Sequence, residues 1–348
     1  MAAEPPAPDA ATTPGTKRGV ATTRASEHGG TVAARVPDFF IVGHPKSGTT
    51  ALYQMLERHP QLYMPVKEPR FFAPELRSRF LDSPFSRLLP SKLPTTLDGY
   101  LSLFAGARPE QLIGEASPSY LRSTLAAQRI AAVAPDAKIV ALFREPASFL
   151  RSFHLQSVHN HVETQKDFTK AIALEEQRRR GKRIPLLSQT PQTLLYSEHI
   201  RYAEQLRRYH AQFSRENVLV LIYDDFRKDN DATVRTVQRF LGVEDTLPIG
   251  PTSTETLPGI RSLTLHQLKR AAFLARRGRG RSGRGGRGAG ARGGALQDAW
   301  RRVVYTEPPV PDAQAMRELR RRFKPQVLAL SEYLDRDLVK LWGYDKLD

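Results

Sequence analysis

Asp38-Phe39-Phe40-Ile41-Val42-Gly43-His44-Pro45-Lys46-Ser47-Gly48-Thr49-Thr50 is the stretch on which the reading of the fold turns. Its first six residues are a short, mostly apolar run, which predicts a buried strand. A loop punctuated by Gly and Pro follows, then a helix from about Gly48 to His59. Ala51, Leu52, Met55 and Leu56 recur there at helical spacing, and Pro60 ends it. The N–H groups in the first turn of a helix have no partner within the helix and point outward, so with the helix dipole they form an anion site. Gly43 and Gly48 let the main chain approach a phosphate closely. Lys46 adds a positive charge, and Ser47, Thr49 and Thr50 add hydroxyl donors.

A nucleoside triphosphatase would end this loop in Gly-Lys-Ser/Thr. Here Gly48 is followed by Thr49, and the lysine is displaced to position 46. That favours a lysine facing a transferable group and its leaving oxygen over one serving a magnesium triphosphate.

Working outward, Leu112–Glu115, Lys138–Phe143 and Val218–Ile222 read as further strands. Helices are predicted from a Ser123 cap to about Val133, from Pro146 onward, around His199–Phe213, and from about Asp231 to Leu241, where Gly242 ends the last. Strands alternating with helices imply an α/β fold, three-layer α/β/α with a mostly parallel central sheet and a P-loop-type phosphate-binding strand-loop-helix. Ligands bind such sheets at the carboxyl ends of the strands. Residues 1–36, rich in Ala, Thr, Pro and Gly, read as a flexible tail, and residues 37–348 as one domain. Thr164–Pro191 is polar and basic, an insertion expected near the acceptor of the reaction.

With no cysteine, the chain has no disulfide, thiolate metal site or thiol nucleophile. Its 53 Lys and Arg against 36 Asp and Glu leave a net charge of +17. That excess favours anionic partners such as nucleotides, acidic glycans, nucleic acid or anionic lipid. Seven arginines and no acid lie within Arg276–Gly294; without them the charge is still +10. No run approaches the length of a membrane span, and the amino terminus has no apolar core of a secretory signal, which reads as a cytoplasmic protein.

A second basic motif follows the third strand: Arg144-Glu145-Pro146, with Ser152 eight residues beyond Arg144. A strand-end arginine can donate charge-assisted hydrogen bonds to a phosphate. A serine early in the next helix can point back over the same spot.

Pro45-Lys46-Ser47-Gly48-Thr49-Thr50 resembles the 5′-phosphosulfate loop of the sulfotransferases that use 3′-phosphoadenosine 5′-phosphosulfate (PAPS). Arg144-x-Pro146 with Ser152 resembles that family's 3′-phosphate motif. The resemblance implies that Lys46 contacts the bridging oxygen, that Ser47, Gly48, Thr49 and Thr50 hold the 5′-phosphate, and that Arg144 and Ser152 hold the 3′-phosphate. The co-substrate would be PAPS and the product PAP, without a metal. Lys67-Glu68-Pro69-Arg70-Phe71-Phe72 is similar to the segment whose glutamate is the general base in heparan-type and related bacterial members. It assigns Glu68 as base, with a pKa lowered by its flanking cations. Lys67, Arg70 and His154 go to the acceptor side, His154 also being the alternative base; His44 and His159 read first as structural. Gly114-Glu115-Ala116-Ser117-Pro118-Ser119-Tyr120 is similar to the family's Glu-Lys-Ser/Thr-Pro-x-Tyr segment. Ala116 stands in place of its lysine, which leaves Lys67 or Arg70 to compensate and Glu115 to hold the site together.

Tyr196 resembles an aromatic position with a packing or nucleotide role. The resemblance runs from about Asp38 to Tyr344, and the Arg/Gly tract lies where the family's basic nucleotide-closing loop belongs, as a lid or a linker. Two other readings stand beside it. A nucleotide kinase would use Asp224 and Asp225 to hold magnesium. A nucleic-acid-binding protein would use the Arg/Gly tract, though the tract lacks interleaved aromatics. The acceptor is a small molecule or glycan whose class (carbohydrate, glycolipid or natural product) is left open, as is the oligomeric state.

Overall fold

A computed structural model describes residues 35–76, 93–186, 188, 190–248, 250, 257–268, 272, 300–310 and 312–347. The expected tail up to residue 34 and the Arg/Gly tract, 276–294, lie outside the described residues.

Five parallel strands make the central sheet: β1 (Phe39–Gly43), β2 (Leu62–Tyr63), β3 (Leu112–Ala116), β4 (Lys138–Phe143) and β5 (Val218–Ile222), in the order β2-β3-β1-β4-β5. Four of these match the apolar runs read from the sequence. β2, only two residues long, is too short to show a period. The register sets Phe39 beside Gly114 and Lys138, and Ile41 beside Ala116 and Val140. Every residue of β1 is buried, as expected of a central parallel strand covered on both faces.

Alternation along β1 divides the interior in two. Phe40 and Val42 enter one core with Phe72, Tyr100, Tyr120 and Phe149. Phe39 and Ile41 enter the other, with Leu52, Leu56, Val234 and Val237. Against the first face pack α3 (Ala126–Val133), α4 (Pro146–His159), α7 (Tyr202–His210) and the long α10 (Ala313–Leu334), which ends before α11 (Leu338–Leu341). Against the second pack α1 (Thr49–Leu56), α8 (Tyr223–Lys228) and α9 (Asn230–Leu241). The result is the three-layer α/β/α arrangement.

Shorter elements are α2 (Leu97–Leu101), α5 (Phe168–Ala173), α6 (Glu175–Arg179) and an antiparallel pair, β6 (Gly259–Ile260) with β7 (Tyr305–Thr306). Several expected boundaries shift. α1 stops at Leu56, because His59 leaves the helix and bonds the backbone of Gln61 and Glu244. α7 begins at Tyr202, after a separate 3-10 turn over Tyr196–Ile200. Ser123 precedes α3, and its Oγ accepts from the N–H of Leu125 and of Ala126. Gly242 ends α9 in the left-handed conformation, φ 81°, as anticipated.

Gly114 marks the tightest strand-to-strand approach, since a Cβ there would lie 2.2 Å from Cζ of Phe39. Gly114→Ala is therefore expected to destabilise the fold by about 1–3 kcal/mol through overpacking. Urea unfolding would read this as a lower midpoint with an unchanged slope.

Candidate active site

The loop after β1 owes its shape to two residues with positive φ. Gly48, φ 89°, is the N-cap of α1, and a Cβ there would come within 2.8 Å of the Phe226 ring. Lys46 has φ 66°, an unusual state for a residue with a side chain and one that collects at functional sites. No side chain caps α1, and no acid lies in its first turn, so its outward N–H groups and dipole are available to an anion. Ser47 is wholly buried, and its Oγ has no hydrogen-bond partner among the described residues. These features fit the phosphosulfate end of a nucleotide.

Arg144, directly after β4, closes on the same loop. Its Nη1 donates to the carbonyl oxygen of Lys46 at 2.6 Å, across 98 positions of sequence. Its guanidinium lies 4.6 Å from the centre of the Tyr223 ring, and the Tyr202 hydroxyl donates to its carbonyl at 2.9 Å. Burial, then the charge of Arg144, lowers the Lys46 pKa, which makes its ammonium a stronger hydrogen-bond donor. Pro146 occupies the first turn of α4, as predicted. The terminus itself is taken by Glu145, whose carboxylate accepts from Ala147 N at 3.0 Å and Ser148 N at 2.7 Å. A phosphate at this end thus falls to side chains: Arg144, Ser152 and neighbouring Arg151.

Lys46, Gly48, Thr49, Thr50, Glu68, Arg144, Ser152 and His154 line one cavity of about 1900 Å³. Glu68 arrives on a loop fastened to the end of β3, its N–H donating to Ala116 O at 2.8 Å. Lys67 donates to its Oε1 at 2.9 Å, and the Arg70 guanidinium grips its Oε2 with two donors. Burial alone would raise the Glu68 pKa, but the charges and hydrogen bonds of Arg70 and Lys67 prevail and lower it. Lys67 is the bridge partner of Ala116. A cation therefore stands beside the position where the resemblance led one to expect a lysine, and it ends on Glu68. Lys67 and Arg70 themselves do not line the cavity.

Two expectations change, and the reading of Tyr196 is settled between its two alternatives. His154 lines the cavity, but its Nε2 is bound to the Gln165 carbonyl at 2.8 Å and burial lowers its pKa. It ties α4 to the 163–169 segment and is poorly placed as an alternative base. Tyr196 donates to Glu163 at 3.1 Å within the protein and serves packing. The stretch expected to be a polar insertion is instead anchored by a buried ion pair, Arg178 to Glu163 at 2.7 Å, and of its described residues only Lys166–Thr169 reach the cavity.

Of the other histidines, His44 is stacked on Tyr202 with ring centres 4.7 Å apart, and burial pushes its pKa down to about 3. It is a neutral packing ring. His159 binds the Pro258 carbonyl and stacks on Tyr305, 5.7 Å away. Asp224 accepts from Trp342 at 2.9 Å and Asp225 pairs with Arg336 at 2.7 Å, so both carboxylates fasten the C-terminal part of the chain. Sequence reasoning missed Tyr223 and the wall supplied by Pro308–Val310, Met316 and Arg320. The position of Tyr223 directly after β5 was the one signal available for it.

A family model described as the sulfotransferase family matches residues 37–246. Heparan sulfate glucosamine 3-O-sulfotransferase 6 of Homo sapiens is 32% identical over 127 residues, 36% of this chain and 31% of that protein. Bifunctional heparan sulfate N-deacetylase/N-sulfotransferase 2 of Homo sapiens is 26% identical over 214 residues, 60% of this chain and 22% of that protein. The chain thus spans less than a third of the length of either relative. A solved sulfotransferase from Alicyclobacillus acidocaldarius is similar over 89% of this chain and 99% of its own, with 27% identity and a TM-score of 0.64.

Proposed function

The chain belongs to the sulfotransferase family, and from that membership we propose that it transfers the sulfuryl group of PAPS to a hydroxyl or amine of a carbohydrate-containing acceptor. The observation that carries this reading is the 2.6 Å contact between Arg144 and the Lys46 carbonyl. It sets the two phosphate motifs on one rim, as a donor phosphorylated at both its 5′ and 3′ positions requires. The start of α1, with Ser47, Gly48, Thr49 and Thr50, receives the 5′-phosphosulfate; Arg144 and Ser152 receive the 3′-phosphate.

In the reaction the acceptor oxygen or nitrogen forms a bond to sulfur, and the bond from sulfur to the bridging oxygen breaks. The electron pair stays on the 5′-phosphate of PAP, where Lys46 stabilises the charge. Glu68 takes the acceptor proton. The rest of catalysis is positioning. A carbohydrate acceptor is supported by relatives whose names specify heparan sulfate. The kinase reading has no support in the geometry, because Asp224 and Asp225 are held by Trp342 and Arg336.

Thermal unfolding with and without PAP tests the donor assignment. PAP at 100 times its Kd is expected to stabilise the protein by about 2.7 kcal/mol, and ATP with magnesium much less. Arg144→Ala is expected to weaken PAP about 10- to 100-fold, as the loss of a charged hydrogen-bonding group does. Equal protection by magnesium ATP, or a PAP affinity indifferent to Arg144, would remove the basis of the proposal.

A further inference from the structure

Glu115, on β3, is completely buried on the face of the sheet that carries Phe40, Phe72 and Tyr100. A carboxyl in such a core is costly unless hydrogen-bonded, and an apolar residue of similar size would pack there at less expense. Its Oε2 accepts from the hydroxyls of Tyr100 at 2.5 Å and Tyr120 at 3.2 Å.

Both tyrosines reach onward to the loop that carries Glu68. The Tyr120 oxygen accepts from Phe72 N at 3.2 Å. The Tyr100 ring stacks on Phe71, centres 4.7 Å apart and planes 14° apart, and meets Phe72 edge-on at 5.0 Å. Ser117 Oγ accepts from Arg70 N at 3.2 Å, and Ala116 O from Glu68 N at 2.8 Å. The alternate amides of Glu68, Arg70 and Phe72 are thus each received by the segment Ala116–Tyr120.

That loop needs such holding. Glu68 and Arg70 have φ of 59° and 52°, a left-handed state that crowds each Cβ against the following carbonyl oxygen. It persists only where surrounding contacts over-determine it. We infer that Glu115 is a positioning residue for Glu68: through Tyr100 and Tyr120 it clamps the strained 68–72 loop so that Glu68 faces the cavity. The inference rests on the proposed role of Glu68, but the clamp itself can be read without any activity.

Burial pushes the Glu115 carboxyl up to about 7, against the pull of the Ser117, Tyr100 and Tyr120 hydroxyls. A carboxyl whose folded value is raised adds stability that is complete below its unfolded value and lost as pH rises through about 7. Above that pH the ionised group is a burden on the fold, offset by the hydrogen bonds it accepts from Tyr100 and Tyr120.

Glu115→Leu tests the clamp. It is expected to bind PAP within twofold of wild type. The amides of Glu68 and of Arg70, Phe71 and Phe72 should exchange hydrogen at least tenfold faster, and kcat should fall tenfold or more. Glu115→Gln, which keeps an acceptor for the tyrosines, should restore kcat to within about threefold. Tyr120→Phe, which removes the link to Phe72 while leaving Glu115 in place, should reproduce the faster exchange and lower kcat if the leucine variant does not fold. Wild-type exchange at those amides in the variant that folds would overturn the clamp. Faster exchange with an unchanged kcat would leave the clamp but overturn its role in positioning Glu68. PAP binding and transfer by the wild type, measured alongside, report separately on the donor assignment.

Discussion

Lys46→Ala is expected to lower the rate of sulfuryl transfer about 10²- to 10³-fold, while PAP binding changes by less than tenfold. The size follows from removing one preorganised donor from the place where negative charge develops, worth about 2.7–4 kcal/mol. The lysine backbone is held left-handed at φ 66°, and its carbonyl is pinned by Arg144 at 2.6 Å. The side chain therefore leaves a fixed base beside the start of α1 and lines the cavity. Its lowered pKa sharpens the donor. PAP would still find the α1 terminus, Arg144 and Ser152, which is why binding survives. Lys46→Arg should not restore the rate, because a planar guanidinium delivers its charge in a different geometry from an ammonium. Single-turnover measurement with labelled PAPS separates the transfer step from binding. Transfer at the wild-type rate in the alanine variant would show that Lys46 does not face the leaving oxygen.

Glu68→Gln is expected to lower kcat about 10²- to 10⁴-fold, the usual reach of general-base catalysis, and to leave the PAP Kd unchanged. Gln keeps the shape and one acceptor for Lys67 or Arg70 but cannot take a proton. The pH dependence adds an independent check. Arg70 and Lys67 together hold Glu68 below the ordinary carboxylate value. A carboxylate with a depressed folded pKa stays ionised as pH falls past the ordinary range, so the acid limb of the wild-type profile should lie below about 4.5. The same sign governs stability: the pairing strengthens the fold above the unfolded pKa, and that contribution is lost as pH falls through the folded one. Arg70→Ala should move the acid limb upward by removing one of the two cations. A glutamine variant with near-normal turnover would strip Glu68 of its role. His154 would then be a poor successor, since its Nε2 is already bound to Gln165.

Much of the site was legible because its parts are local in sequence. The anion loop is one contiguous strand-turn-helix, and the glycine at 48, the uncapped start of α1 and the lysine at 46 follow from neighbours within a dozen positions. Arg144, Pro146 and Ser152 are likewise set by the end of β4 and the first turns of α4. The pairing of Lys67 and Arg70 with Glu68, and the depressed pKa that follows, could be anticipated from adjacency. The role of Glu145 as the cap of α4, shared with Tyr344 199 positions away, was not read from the sequence, although it lies in the same local span.

Other residues read wrongly or incompletely, because their partners lie on other elements that folding brings to them. His154 read as an alternative base until the Gln165 carbonyl took its ring nitrogen. Thr164–Pro191 looked like a polar insertion near the acceptor because composition does not show that Arg178 reaches back to Glu163 in the interior. Only the position of Tyr223 directly after β5 hinted at it, and Glu115, expected to hold the site together, did not reveal that Tyr100 and Tyr120 are its partners.

The amino-acid sequence by itself determined the α/β class, the position of the glycine turn before α1 and the identity of the polar groups that gather around it. Periodicity, turn chemistry and helix termini are properties of neighbouring residues. Only the tertiary structure decided which polar groups are spent on holding the protein together and which are left facing the cavity. A side chain's hydrogen-bond partner and burial depend on segments brought to it by folding, and no local pattern records them.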